Sequence, residues 1–260
     1  MGPLILNSDM VLFFTFVFLR ISAVLVTIPV FGERTVPARI KGGLAILISV
    51  IVFSSVSADM PRLQTEPKIL AIALAMMGEV FIGIIMGFVA RIIFAGIQYA
   101  GDTIGMQMGF SIVNVIDPVS STQVSIMAEL QYMIALLVYL AIDAHHFFIM
   151  AAVDSYRLIS PFNYHFSGPL MQTLLIFSKE LFVIAIKISA PVMAVLLFTN
   201  VALGVIARTI PQLNVFIVGM PLQIAAGLIV MGLAIPVSIK LMEMALITLN
   251  TELHTLMRLM

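Results

Sequence analysis

Long apolar segments separated by short polar links dominate the chain. The apolar segments cover residues 10–31, 42–56, 69–100, 123–150 and 170–207, and a charge-free run lies between Arg208 and Lys240. Membrane-spanning helices need about 20 consecutive apolar residues. Helices that are apolar on all sides lose their amphipathic period, which survives only in the tail, residues 240–260. The pattern predicts an all-α protein that is integral to a membrane.

These segments do not form clean spans. Residues 42–56 are few for a crossing, whereas residues 69–100 would extend about 48 Å as one helix, beyond a hydrocarbon core of about 30 Å. Ionisable side chains also lie inside or beside the segments: Arg20, Glu79, Arg91, Glu129, Lys179, Glu180, Lys187 and Arg208. Such groups are costly against lipid. We predict that they form interhelical or intersubunit ion pairs in an assembly, with a proton or ion relay as the alternative.

Gly83 and Gly87 form a GxxxG pair, which predicts close helix packing.

The segment between the third and fourth apolar stretches, residues 101–118, reads GDTIGMQMGFSIVNVIDP. Three glycines, Gly101, Gly105 and Gly109, make it a poor helix and act as candidate hinges. Irregular backbone at membrane depth is tolerated only where protein buries it or where it lines a cavity. The segment therefore predicts a pore constriction, with a re-entrant packing turn as the alternative. Its bulky side chains can close a channel by dewetting: Met106, Met108, Phe110, Ile112, Val113, Val115 and Ile116.

A second unusual stretch, residues 207–227, predicts the tip of a helical hairpin. Pro211 fits the first turn of a helix, where its missing N–H costs nothing. The two arms are expected near residues 170–207 and 212–240.

Composition narrows the function classes. The chain is 62% hydrophobic and 10% charged, with zero net charge, against about 45–50% and about 25% in soluble domains. The charge balance argues against nucleic-acid binding, and the absence of cysteine excludes thiol chemistry. Asp143, His145 and His146 form the only metal-like cluster, but adjacent histidines on a helix point to different sides. With no GxSxG or P-loop motif, we predict no metal, no cofactor and no enzymatic activity.

Several short motifs follow one another along the whole chain in a characteristic order. They are PVFGER at 29–34, VP at 36–37, KGGL at 41–44, GE at 78–79, GF at 87–88, GMQMG at 105–109, DP at 117–118, LG at 203–204, AR at 207–208, PQLNVF at 211–216 and PL at 221–222. In this order and spacing the chain resembles the FliR family, the R component of the flagellar type III export gate.

The resemblance implies a P-like helical region over residues 1–168, with a pore loop near 101–122. Residues 169–260 would form a Q-like helical hairpin and a C-terminal amphipathic helix. The implied partners are P-type and Q-type gate subunits in a helical hetero-oligomer, an FlhB-type switch protein, the basal-body ring, membrane lipid and the export substrates in the channel.

The implied location is the bacterial inner membrane, as a multi-pass protein within the flagellar basal body. The implied role is conduction of unfolded flagellar subunits, with the segment at 105–118 as the channel plug. A homologous subunit of a virulence injectisome is one alternative. A secondary transporter of small solutes is another, although no internal repeat typical of transporters is apparent.

Overall fold

A computed structural model describes residues 8–33, 35–57, 69–110, 125–159, 167–210, 212 and 214–260. These residues form helices and connecting turns, and no strand occurs among them. The helices are α1 Ser8–Thr27, α2 Ala38–Val56, α3 Ile69–Gln107, α4 Ile126–Ala141, α5 Ala144–Leu158, α6 Gly168–Thr209 and α7 Val215–Leu259. The prediction of an all-α protein is confirmed.

Five of the described helices are long and apolar enough to cross a membrane: α1, α2, α3, α6 and α7. The pair α4 and α5 passes the same test only as one broken span, which would make six. These features make the chain a multi-pass membrane protein. The longest helices have 39, 42 and 45 residues, which at 1.5 Å per residue is about 58–68 Å, twice the hydrocarbon core.

Several helix boundaries differ from the sequence prediction, among them those of α2 and of the fourth apolar segment, and α7 runs on without a break through the predicted C-terminal amphipathic helix to Leu259. Helix α2 has 19 residues, because it begins at Ala38 and includes Arg39 and Lys41, which the apolar pattern had left in a loop. The expectation that this segment is too short was wrong. The fourth apolar segment is two helices, because the chain turns at Ile142 and Asp143. Asp143 has a positive φ of 53°, a left-handed conformation that Asp tolerates better than most residues.

The chain divides into two compact units. One combines Met1–Arg91, Asp143–Phe177 and Leu246–Met260, and the other combines Ile92–Ile142 and Ser178–Ala245. The predicted boundary near residue 168 separates a P-like region from a Q-like region. The compact units do not test such a resemblance, so this boundary stays a prediction.

Within the first unit, α3 packs closely on α1 through the predicted glycine pair. A Cβ at Gly83 would lie 2.6 Å from the Arg20 carbonyl oxygen. A Cβ at Gly87 would overlap the Thr27 side chain. Only glycine permits this approach, so the prediction of close packing at the GxxxG pair is confirmed.

Helices α6 and α7 run antiparallel, as the hairpin prediction requires. Val192 and Leu196 of α6 pack with Met231 of α7 in one buried cluster. Nearer the tip, the Gln223 side-chain amide donates a hydrogen bond to the Asn200 side-chain oxygen. Three prolines lie inside these helices without ending them: Pro191, Pro221 and Pro236. Prolines are tolerated in membrane helices because neighbouring groups satisfy the freed carbonyls.

Candidate functional site

The segment predicted to be irregular from Gly101 onward remains helical for seven more residues, since α3 ends at Gln107. The glycines here serve close packing. A Cβ at Gly101 would lie 2.5 Å from the Ala128 Cα and 2.6 Å from the Met127 carbonyl oxygen. The prediction that residues 101–107 break the helix was therefore wrong, because a glycine on a packed helix face permits contact with a neighbouring backbone.

The helix ends in a Schellman motif centred on Gly109. The Phe110 N–H donates to the Gly105 carbonyl at 3.1 Å, and the Gly109 N–H donates to the Met106 carbonyl at 3.1 Å. Gly109 has a φ of +90°, which only glycine adopts without strain. Of the three candidate hinge glycines, Gly109 is thus the one at which the backbone changes direction.

The candidate plug side chains differ in exposure. Met106 is 55% exposed, Met108 is fully buried, and Phe110 is half-buried. Four of the predicted plug residues, Ile112, Val113, Val115 and Ile116, lie outside the described residues. Of the three described candidate plug side chains, one is therefore exposed, one is buried in the core and one is half-buried.

A second site, within the first unit, is a buried ion pair between α1 and α3. The Arg20 Nε donates to the Glu79 Oε2 at 2.6 Å, and a terminal nitrogen of Arg20 donates to Oε1 at 3.0 Å. The other terminal nitrogen donates to the Ser155 hydroxyl at 2.8 Å. The guanidinium also lies 3.8 Å from the centre of the Tyr156 ring. Arg20 and Glu79 are 0% and 2% exposed, so this network joins α1, α3 and α5 in the protein interior.

The structure brings together only these two of the embedded charges singled out from the sequence. Glu180 is half-buried, and the other five are exposed: Arg91, Glu129, Lys179, Lys187 and Arg208. In the part of the chain that the structure describes, these six side chains form no ion pair with one another. Charges left exposed on apolar helices stay candidates for pairing with other subunits.

The cluster at the start of α5 is tighter than the sequence suggested. The Asp143 Oδ1 lies 3.9 Å from both the His145 Nε2 and the His146 Nδ1. The three donor atoms lie within 4.8 Å of one another. The histidines use different ring nitrogens, and their ring centres lie 4.3 Å apart with the ring planes tilted by 36°, so the expectation that they point to different sides was wrong. Asp143 is 72% exposed, so the cluster lies at the surface of the described structure.

Sequence reasoning did not identify several residues that complete these sites. Ser155 and Tyr156 complete the Arg20 network, and Gly227 lies against Met108. No local signal marks Ser155, because it lies 135 residues from Arg20. Gly227 was not singled out among the glycines of the charge-free run, although a glycine in a helix is a signal for the close approach of a neighbouring side chain or backbone.

Comparison with known proteins gives the chain a family. Residues 11–249 match the family model described as "Bacterial export proteins, family 1". The chain is 39% identical over 239 residues to the "Flagellar biosynthetic protein FliR" of Bacillus subtilis strain 168, covering 87% of this chain and 88% of the relative.

Similar matches come from two other bacteria. The protein of the same name from Escherichia coli K12 is 32% identical over 219 residues, covering 84% and 82% of the two chains. The Aquifex aeolicus protein is 30% identical over 221 residues, covering 84% and 83%. A family match over residues 11–249, with relatives at 30–39% identity, means that the chain belongs to the bacterial export proteins, family 1.

Proposed function

We propose that this chain is the R-type core subunit of the flagellar type III protein export gate, through which unfolded flagellar subunits cross the inner membrane. The observation that carries the proposal is the family match over residues 11–249. The relatives that support it carry the name of a flagellar biosynthetic protein. The role is non-enzymatic: the chain forms part of the wall of a protein-conducting channel and supplies the segment that closes it.

Closure is assigned to the apolar segment that follows α3. The Schellman motif at Gly109 ends α3 directly before this segment. Met106 is largely exposed and Phe110 half-exposed, so both offer apolar surface to a channel. Met106 and the bulky residues up to Ile116 supply a seal that excludes water and repacks around a passing chain.

The partners proposed are P-type and Q-type gate subunits, an FlhB-type switch protein and the basal-body ring. Exposed apolar side chains on the hairpin, such as Phe198 at 73% and Leu233 at 76% exposed, offer surface to lipid and to other subunits alike. Exposed charges on the same apolar helices, such as Lys187, favour polar partners over lipid. The six embedded charges that form no ion pair with one another among the described residues would then pair across subunit boundaries.

Shortening the seal is expected to make the assembled gate leak. Deletion of residues 112–116, or replacement of Phe110 by alanine, removes bulky apolar groups that exclude water from the channel. Ion conductance through the purified gate in a planar bilayer is expected to rise several-fold, with the deletion having the larger effect. Leu70→Ala is the matched control, because Leu70 is 72% exposed at the other end of α3.

Unchanged conductance and unchanged export in both variants would overturn the plug assignment. The transporter alternative is tested by the purified chain alone, which would have to move a small solute without other subunits. The Glu79 carboxylate is held by Arg20 at 2.6 Å, so it does not offer a free binding group for such a solute.

A further inference from the structure

The turn before α5 brings three side chains of metal-ligating type together. The Asp143 Oδ1 lies 3.9 Å from both the His145 Nε2 and the His146 Nδ1, and the three donor atoms lie within 4.8 Å of one another. One sequence objection to a metal at this turn is that adjacent histidines on a helix point to different sides. The structure removes this objection, because the two imidazoles converge on one carboxylate.

The backbone of Asp143 directs its carboxylate toward the histidines. Asp143 is the N-cap residue of α5, with φ 53° and ψ 30° in the left-handed region. An Asp at this position usually accepts a hydrogen bond from a backbone N–H of the first turn. Among the described residues the Asp143 side chain accepts no such bond, whereas its carbonyl oxygen accepts one from the His146 N–H at 2.9 Å. The carboxylate therefore faces the side chains of the first turn instead of its backbone.

The separations of the donor atoms suit a single bound ion. Bonds from Zn²⁺ to imidazole nitrogen and carboxylate oxygen are about 2.0–2.2 Å long, so two ligand atoms of one ion lie about 3.3–4.4 Å apart. Both 3.9 Å separations fall within this range. The separation between the two nitrogens is at most 4.8 Å, and a small rotation of the His146 ring, which is 60% exposed, would shorten it.

The ligand set selects the class of metal. Imidazole suits Zn²⁺, Cu²⁺ and Ni²⁺, whereas Mg²⁺ and Ca²⁺ prefer sites built from oxygen atoms. Asp143 is 72% exposed and His145 is 26% exposed, so one side of the site is open to water. Three protein ligands with a water molecule in the fourth position are a common arrangement for Zn²⁺.

The carboxylate also meets an electrostatic requirement. The site lies at the N-terminus of α5, where the positive end of the helix dipole disfavours a cation. Asp143 supplies the negative charge that offsets this effect. Two imidazoles without that charge would hold a divalent ion less tightly.

We propose that Asp143, His145 and His146 form a three-ligand site for a borderline divalent metal ion, with Zn²⁺ the best fit and water completing its coordination. The bound ion would link the residue before α5 to the first turn of the helix and stabilise the left-handed conformation of Asp143. All three ligands lie in the first compact unit, and the site does not depend on the proposed role in export.

Zinc titration of the full chain tests the site. The chain is purified in detergent through an affinity tag without histidine, stripped with a chelator and titrated with zinc chloride against a competing fluorescent zinc indicator. One ion per chain is expected. His146→Ala and Asp143→Asn are each expected to weaken binding at least about tenfold, the lower end of the loss typical even for partners outside the ligand shell.

Two comparisons separate metal binding from a general effect on folding. Asn tolerates a left-handed backbone as Asp does, so Asp143→Asn without zinc is expected to unfold at nearly the temperature of the original chain. His254→Ala is the matched control and is expected to bind zinc as the original chain does. The His254 Nε2 also lies 3.9 Å from a carboxylate oxygen, that of Asp154, but it lies outside the cluster.

X-ray absorption at the zinc edge gives a readout that an ion-pair cluster would not produce. Two imidazoles and oxygen ligands at about 2.0–2.2 Å are expected around the ion. Zinc is also expected to raise the unfolding temperature of the original chain and of His254→Ala, but not of His146→Ala, because a ligand stabilises the state that binds it. No bound ion, or equal affinity in the original chain and both cluster variants, would overturn the proposal and leave the cluster as ion pairs only.

Discussion

Replacement of Arg20 by alanine is expected to lower the free energy of unfolding by about 3–5 kcal/mol, because it leaves a buried carboxylate without its counter-charge. Glu79 is only 2% exposed and receives two of the Arg20 hydrogen bonds. Ser155 and Tyr156 would also lose their contacts with the guanidinium. The measurement is thermal unfolding of the purified full chain in detergent.

Two further variants separate the ion pair from its surroundings. Arg91→Ala removes an exposed arginine of α3 and is expected to change the unfolding midpoint little. Arg20→Met with Glu79→Leu replaces both charges with apolar groups and is expected to recover much of the loss, since apolar replacement of a buried pair is often neutral. An Arg20→Ala protein as stable as Arg91→Ala would contradict the role of the network.

Replacement of Gly101 by alanine is expected to destabilise the protein by about 1–3 kcal/mol through overpacking. A Cβ at this position would lie 2.5 Å from the Ala128 Cα and 2.6 Å from the Met127 carbonyl oxygen. Both are backbone atoms, which cannot rotate away as the end of a flexible side chain can. Helices α3 and α4 would have to separate, and the unfolding temperature of the purified chain reports the cost.

The same substitution at an open position should have the opposite sign. Gly232 lies in the middle of α7, and a Cβ there meets no described atom within 4 Å. Gly232→Ala is therefore expected to stabilise the chain by about 0.5–1 kcal/mol through the backbone entropy of glycine. If both substitutions shifted the unfolding temperature in the same direction, the close approach of α3 to α4 would be refuted.

Hydrophobic pattern was enough to predict the helices and the hairpin, because apolar length and polar links are local properties of the sequence. The hydrophobic pattern failed at glycines, because a glycine can either end a helix or allow a neighbouring helix to pack closely. Gly101 and Gly105 were interpreted as helix breakers, yet they lie on a continuous helix whose neighbour comes close.

Long-range partners could not be predicted. Arg20 and Glu79 are 59 residues apart, and no spacing rule joins two charges on different helices. The Asp143 cluster was misjudged for a different reason. A left-handed residue before the helix redirects the carboxylate toward both histidines, and helical periodicity does not describe that residue.

Two polar contacts of the hairpin differ greatly in how far apart their partners are in the sequence. Asn200 and Gln223 are separated by 23 residues, whereas the Ser167 hydroxyl donates to the Leu259 carbonyl across 92 residues. At synthesis rates of about 5–20 residues per second, the first pair is complete within about 1–5 s and the second after about 5–20 s. Short loops are also easier to close. The hairpin is therefore expected to close from its tip toward its open end, and the beginning of α6 has to wait several seconds for its partner helix.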